Sequence, residues 1–143
     1  KARHGRVDCL HWLFWQMAGR GPTRGPSPQF RHYAPEVVPY AVERYTKETS
    51  RLYAVLNKQL AQHEYICGEY SIAAIACCPW VLLANQGPIM ADFPHLARWH
   101  AAIAQRPAVI KAYEIAKQIN TQPSVADERS RQVLFGQGKD AVK

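Results

Sequence analysis

Apolar residues recur along this chain at helical spacing in five stretches, and nowhere do they alternate over a length useful to a strand. The first stretch, from about Val7 to Gly19, sets Val7, Leu10, Phe14, Met17 and Ala18 on one face, while Trp12, Leu13 and Trp15 put large apolar groups on the others. A helix that is apolar nearly all round must be covered on more than one side, so part of it is expected to face another domain or subunit. Arg20 to Pro35 reads as a break rich in Gly and Pro, ending in Phe30-Arg31-His32-Tyr33. A loop of that length in a compact domain is usually functional or disordered, and its aromatic end favours a packed one. A long second helix is predicted from about Pro35 to His63, with Val38, Ala41, Tyr45, Leu52, Leu56 and Leu60 as its buried stripe. Glu43 with Lys47, and Arg44 with Glu48, form four-apart charge pairs on its surface, each contributing about 0.2–0.5 kcal/mol.

Glu64 to Tyr70 reads as a turn around Gly68, after which Ser71 is placed to cap a third helix running to about Asn85 and disturbed at Pro79. Being apolar on every face, that helix is expected at the centre of the core. Gly87 and Pro88 end it. Asp92 is read as the cap of a fourth helix with Phe93, Leu96, Trp99 and Ile103 facing inward, and Pro107 opens a fifth with Val109, Ala112, Tyr113 and Ala116. From Asn120 to Lys143 the chain is polar and reads as a weakly ordered tail, with Val133-Leu134-Phe135 able to dock back on the body. The expectation is therefore an all-α fold, a bundle of about five helices over residues 1–119, followed by a tail over 120–143.

A length of 143 residues with 48% hydrophobic and 20% charged content suits one soluble globular domain. The longest apolar run, Ile72 to Ala84, falls short of the roughly 20 residues that span a bilayer, so no membrane segment is expected. No apolar run with a small-residue cleavage site follows the basic start, so no signal peptide is read. The net charge of +7 comes from scattered Lys and Arg with no one-sided run, which argues against a nucleic-acid partner and leaves anionic small ligands in view. Four cysteines are too few for a disulfide scaffold, and Cys77 and Cys78 fall in the apolar third helix, where they should stay reduced. His95 and His100 lie five apart, off one helical face, so no metal site is read. A reduced, cytoplasmic protein is expected.

Four segments in fixed order carry a resemblance: Trp12-Leu13-Phe14-Trp15-Gln16, Tyr40-Ala41-Val42-Glu43-Arg44-Tyr45-Thr46, Ser71-Ile72-Ala73-Ala74-Ile75-Ala76 leading to Pro79-Trp80, and Arg106-Pro107-Ala108-Val109. With His32-Tyr33-Ala34-Pro35-Glu36 they resemble the helical C-terminal half of Nu-class glutathione transferases, over about residues 6–119. The resemblance implies a two-domain homodimer whose thioredoxin-like half, not seen in this sequence, holds most of the glutathione site and activates the sulfur. It implies glutathione as co-substrate and a small electrophile, peroxide or disulfide as its partner. With a start at Lys1, the chain reads as a fragment that would be inactive alone. A non-catalytic binding or regulatory module, or a truncated remnant, stays open as an alternative.

The resemblance assigns Arg44 to a glutathione carboxylate, which a guanidinium fork can grip with two parallel hydrogen bonds. The competing reading is a surface pair with Glu48. Some relatives use a Gln one position after Gln16, where this chain has Met17. Trp15, Phe30, His32 and Tyr40 are candidates for the pocket wall, against a reading as packing residues. No catalytic residue is assigned in this half. One departure stands out: the family's Asp three residues after the capping Ser is Ala74 here, so half of a capping box is missing and Ala74→Asp is expected to stabilise the domain.

Overall fold

The computed structural model describes residues 2–81, 87–119, 127–136 and 138. They divide into two compact units, Lys1–Ala104 and Gln105–Lys143. The described residues are mostly helical, joined by turns and extended links, with isolated bridges pairing Tyr65 with Gly68 and Cys67 with Glu69 in one tight turn.

In the first unit, α1 spans Ala2–Trp15. The chain does not break where its prolines and glycines announce a loop. It stays in helical backbone through a π-turn at Gln16–Arg20, short turns at Gly21–Arg24 and Pro26–Pro28, and a second π-turn at Gln29–Tyr33. The reason lies in donor accounting. Pro22 and Pro26 occupy the opening positions of successive turns, where a missing N–H costs little. The π-turns close through Gly21 N–H to the Gln16 carbonyl and Ala34 N–H to the Gln29 carbonyl, five residues back, which widens the coil beside the pyrrolidine rings.

The next helix, α2, covers Pro39–Gln62. It starts at Pro39 rather than Pro35 because a proline disfavours helical backbone in the residue before it. Val38 accordingly sits extended at φ −107° and ψ 92°. Thr49, Leu52, Tyr53, Leu56 and Leu60 are buried at three- and four-residue spacing. The earlier part of the expected stripe, Val38, Ala41 and Tyr45, is only half-buried. Gly68, at φ +83°, makes the turn that follows, and Gln59 Nε2 ties it down by donating to the Ile66 carbonyl at 2.8 Å.

Helix α3 is short, Ile72–Cys77, with a 3₁₀ turn Cys78–Trp80 after it. Pro79 has no N–H to continue the ladder and ends the helix well before Asn85, which lies outside the described residues. Ala73, Ala74, Cys77 and Cys78 face the core, but Ile72 and Ile75 are more than half exposed, so α3 is buried on one side only. Ser71 holds the N-cap position with extended backbone, yet its hydroxyl makes no capping bond and is buried without a partner. The expected cap is therefore present in backbone shape alone.

Helix α4, Pro94–Ala104, packs on α2 through Leu96, Trp99 and Ile103, with Phe93 set edge-on to Tyr53 at 5.5 Å. These two helices finish each other's ends. Asn57 Oδ1 on α2 accepts from the His95 and Leu96 N–H groups at 2.9 and 3.1 Å, taking the place expected of Asp92. Arg98 Nη2 on α4 donates to the Leu60 and His63 carbonyls at 2.8 and 2.9 Å. Unpaired terminal groups of both helices are thus satisfied across the packing surface.

The first apolar face of α1 is open in this chain: Val7, Phe14 and Met17 are 60%, 70% and 67% exposed. In the π-turn that follows, Gln16 and Arg20 are both almost fully buried. Arg20 Nη2 donates to the Trp80 carbonyl at 2.7 Å, and its guanidinium sits 4.3 Å above the Tyr53 ring. Cation–π contact and a carbonyl acceptor make burial of that charge tolerable.

The second unit contains α5, Pro107–Ile119, and, within the segment read as a tail, α6, Glu128–Phe135. Asp127 caps α6 by accepting from Ser130 N–H at 2.8 Å and Ser130 Oγ at 2.7 Å.

Candidate functional site

The start of α2 and the π-turn before it bring together most of the residues singled out by sequence. Phe30 stacks flat on Tyr45 with ring centres 5.6 Å apart. Next to it, Arg31 Nη2 donates to Thr46 Oγ1, which in turn donates to the Val42 carbonyl at 2.6 Å. Phe30 and Arg31 thus clamp the π-turn onto the second turn of α2. Gly87 closes the junction from a third side. It has φ +96°, and a Cβ there would stand 2.6 Å from Arg31 Nη2 and 2.8 Å from Thr46 Cγ2.

Tyr40 and Arg44 are four residues apart on α2 and therefore share a face. Tyr40 is 77% exposed. The Arg44 guanidinium stands 4.0 Å from Glu48, at the edge of ion-pair range, with its side chain 59% exposed. Glu48 is engaged elsewhere: Arg51 donates to both of its oxygens, at 2.8 and 2.7 Å. That hydrogen bonding to Arg51 is the main reason the Glu48 carboxyl is held below its usual range, while Arg44 contributes least. Lys47 is likewise spoken for by Glu43, whose carboxyl it lowers through hydrogen bonding and charge. The surface pair that competed with a ligand role for Arg44 is thus weak, because a better-placed Arg51 has taken the acid.

His32 is exposed and meets Tyr33 edge-on at 6.4 Å. Trp15 stands in a different group, packed edge-on against Trp12 at 5.2 Å at the end of α1. Arg31, Thr46 and Gly87 were not legible in sequence as positioning residues. The one cue was the β-branched hydroxyl of Thr46 within the specific Tyr-Ala-x-Glu-Arg-Tyr-Thr segment.

Among the described residues, no group of three or more His, Cys, Asp or Glu is placed to hold a metal ion, and no helix is long and apolar enough to cross a membrane. All four cysteines are free thiols. Burial pushes Cys77 up to about 12 and Cys78 up to about 11, so neither offers a thiolate near neutral pH.

The glutathione S-transferase C-terminal domain family matches residues 26–107. The chain is 46% identical over 127 residues to the disulfide-bond oxidoreductase YfcG of Escherichia coli (strain K12), covering 87% of this chain and 56% of that protein. It is 37% identical over 113 residues to the disulfide-bond oxidoreductase YghU of the same strain, covering 73% of this chain and 39% of the relative. In structure it resembles the glutathione transferase URE2P6 from Phanerochaete chrysosporium, solved with oxidized glutathione, at a TM-score of 0.72 and 32% identity over 80% of this chain and 55% of that one. The chain spans about half the length of the relatives it matches. With its all-helical fold and its ordered motifs at the start of α2 and α3, the chain belongs to the glutathione S-transferase C-terminal domain family, of the Nu-class type.

Proposed function

We propose that this domain is the helical half of a glutathione-dependent transferase that reduces disulfides or peroxides, with Arg44 gripping a glutathione carboxylate. One observation carries the reading: Glu48 gives both oxygens to Arg51, leaving the Arg44 fork open to solvent on the face it shares with Tyr40. A planar guanidinium in that state matches a carboxylate in two parallel hydrogen bonds. The Phe30–Tyr45 stack supplies a flat apolar wall for the co-substrate, and the Arg31–Thr46 clamp holds that wall in place. Tyr40 and His32 border it as exposed aromatic groups. Trp15 belongs to the pocket only through a wall contributed by another part of the full protein. Relatives solved with glutathione or oxidized glutathione support this ligand class.

In this reading the sulfur-activating donors lie in a thioredoxin-like half of the full-length protein. The open α1 face of Val7, Leu10, Phe14 and Met17 is covered by a second copy in a homodimer. Four free thiols suit a reducing compartment, which in this reading is the cytoplasm.

The test is calorimetric titration of the full-length protein with glutathione and glutathione disulfide, beside Arg44→Ala and Arg44→Lys. The expected result is roughly tenfold or greater weakening in Arg44→Ala, with Arg44→Lys intermediate because it keeps the charge but loses the fork. Unchanged affinity in Arg44→Ala would return Arg44 to the solvated surface.

A further inference from the structure

Two cysteines outside the glutathione cleft face each other. Cys9 on α1 and Cys67 in the bridged turn before α3 open onto one surface cavity of about 560 Å³, walled further by Tyr70 and Ser71. Cys9 lies near enough to Cys67 to disfavour its thiolate. Both are partly exposed, whereas Cys77 and Cys78 are buried. Gly5, one turn before Cys9, and Gly68, next to Cys67, also line the cavity, and a Cβ at either would meet nothing within 4 Å. The cavity is therefore not narrowed at either glycine.

We infer that Cys9 and Cys67 form a dithiol–disulfide redox site that takes a low-molecular-weight disulfide, such as glutathione disulfide, as its oxidant. Burial is the main reason the Cys67 thiol is raised; the neighbouring Ser71 hydroxyl opposes the rise, and Cys9 and Asp8 add to it, so in this scheme Cys67 acts second. Cys9 loses its proton to solvent, and its thiolate attacks one sulfur of the small disulfide. That S–S bond breaks, the first thiolate leaves, and Cys9 carries a mixed disulfide. Cys67 then loses its proton and attacks the Cys9 sulfur, expelling the second thiolate. Two protein thiols are oxidised by two electrons, the small disulfide is reduced to two thiols, and the two protons released balance the two thiolates. Cys67 lies near enough to add to the rise of the Cys77 thiol, but Cys77 is fully buried and pushed up to about 12, mainly by burial, so it is not the resolving partner.

The site uses none of the residues assigned to the glutathione cleft, and its test separates the two. The reduced 143-residue chain is incubated anaerobically with glutathione disulfide, quenched in acid, alkylated, digested and analysed by mass spectrometry. The expected result is loss of two hydrogens, one peptide joining Cys9 to Cys67, and two glutathiones released per chain. Cys67→Ser should stop at a single glutathionyl group on Cys9 with one glutathione released. Cys77→Ser and Arg44→Ala should react like the parent. Independent glutathionyl groups on both cysteines, a crosslink through Cys77, or no reaction under conditions that oxidise a reference dithiol would each overturn the proposal. Loss of the reaction in Arg44→Ala would also overturn it, by placing the oxidation in the glutathione cleft. The parent chain's own crosslink needs no variant, so a poorly folded mutant does not decide the outcome.

Discussion

Asn57→Ala removes one oxygen that two backbone donors share, the His95 and Leu96 N–H groups at 2.9 and 3.1 Å. Loss of a helix cap typically costs about 1 kcal/mol, within a range of about 0.5–2. Here the upper part of that range applies. Leu96 is fully buried, so its N–H has poor access to replacement water, and an unsatisfied buried donor costs about 1–3 kcal/mol. The expected loss is about 1.5–2 kcal/mol. With an unfolding entropy of roughly 2.1 cal/mol/K per residue, the Lys1–Ala104 unit loses about 0.2 kcal/mol per degree near its midpoint. The melting midpoint should therefore fall by roughly 7–9 °C. Asn57→Asp keeps an acceptor and sets a carboxylate at the positive end of α4, so it should melt within about 2 °C of the parent. Thermal unfolding followed by far-ultraviolet circular dichroism decides the matter. A drop of under about 2 °C in Asn57→Ala, or an equal drop in Asn57→Asp, would refute the claim that one side-chain oxygen completes α4.

Gly87→Ala would drive a Cβ to 2.6 Å from Arg31 Nη2 at a backbone angle of φ +96°. It should destabilise the domain by about 1–3 kcal/mol and loosen the Phe30–Tyr45 stack, read as a lower chemical-denaturation midpoint; a neutral result would mean the clamp gives way freely. Ala74→Asp offers an acceptor to the buried, partnerless Ser71 hydroxyl and to the Ser71 N–H, and should raise the melting midpoint. An equal or lower midpoint would show that burying the carboxylate at this fully buried position costs more than the cap returns. Burial lowers the His100 imidazole below its usual range, so the unfolded chain binds that proton first as pH falls. This contribution to stability is present above the unfolded value of about 6.5 and is lost as pH drops below it, so His100→Asn should lose less stability than the parent between about pH 7.5 and about pH 5.5. Parallel loss in both proteins across that window would remove His100 as the cause.

The all-α class and the buried faces of α2 and α4 were legible because their periodicity is long and prolines stand near their starts, whereas α6 in the polar tail was not. The proline that mattered was Pro39 rather than Pro35, a choice set by the extended backbone of Val38, which spacing alone does not reveal. The stretch after α1 was misread because Gly and Pro are counted as punctuation. When prolines fall at the first positions of successive turns separated by π-turns, helical backbone survives them. The polar interior just after α1 was not legible either. Periodicity marked the apolar face of Val7, Phe14 and Met17, but it gave no sign that Gln16 and Arg20 in the next turn are buried, Arg20 through partners that only the folded chain supplies. At the candidate site, sequence framed the choice for Arg44 as Glu48 or ligand. It gave no weight to Arg51, three residues beyond Glu48, which takes both Glu48 oxygens and leaves Arg44 at the edge of ion-pair range. The capping of α4 by Asn57 and the clamp through Gly87 are tertiary, joining residues 38 or more apart, or elements that share no local pattern.

Arg20 reaches Trp80 across 60 residues of chain. A guanidinium does not give up its proton at any pH the cell offers, so this charge cannot be neutralised while it waits. During synthesis the segment carrying Arg20 therefore leaves the ribosome with a permanent cation on the side that will later be sealed. Until Trp80 has been made, that cation can reach the Tyr53 ring on α2 but not the carbonyl that it grips in the finished domain. The seal of the first unit is thus completed by a segment made 60 residues later.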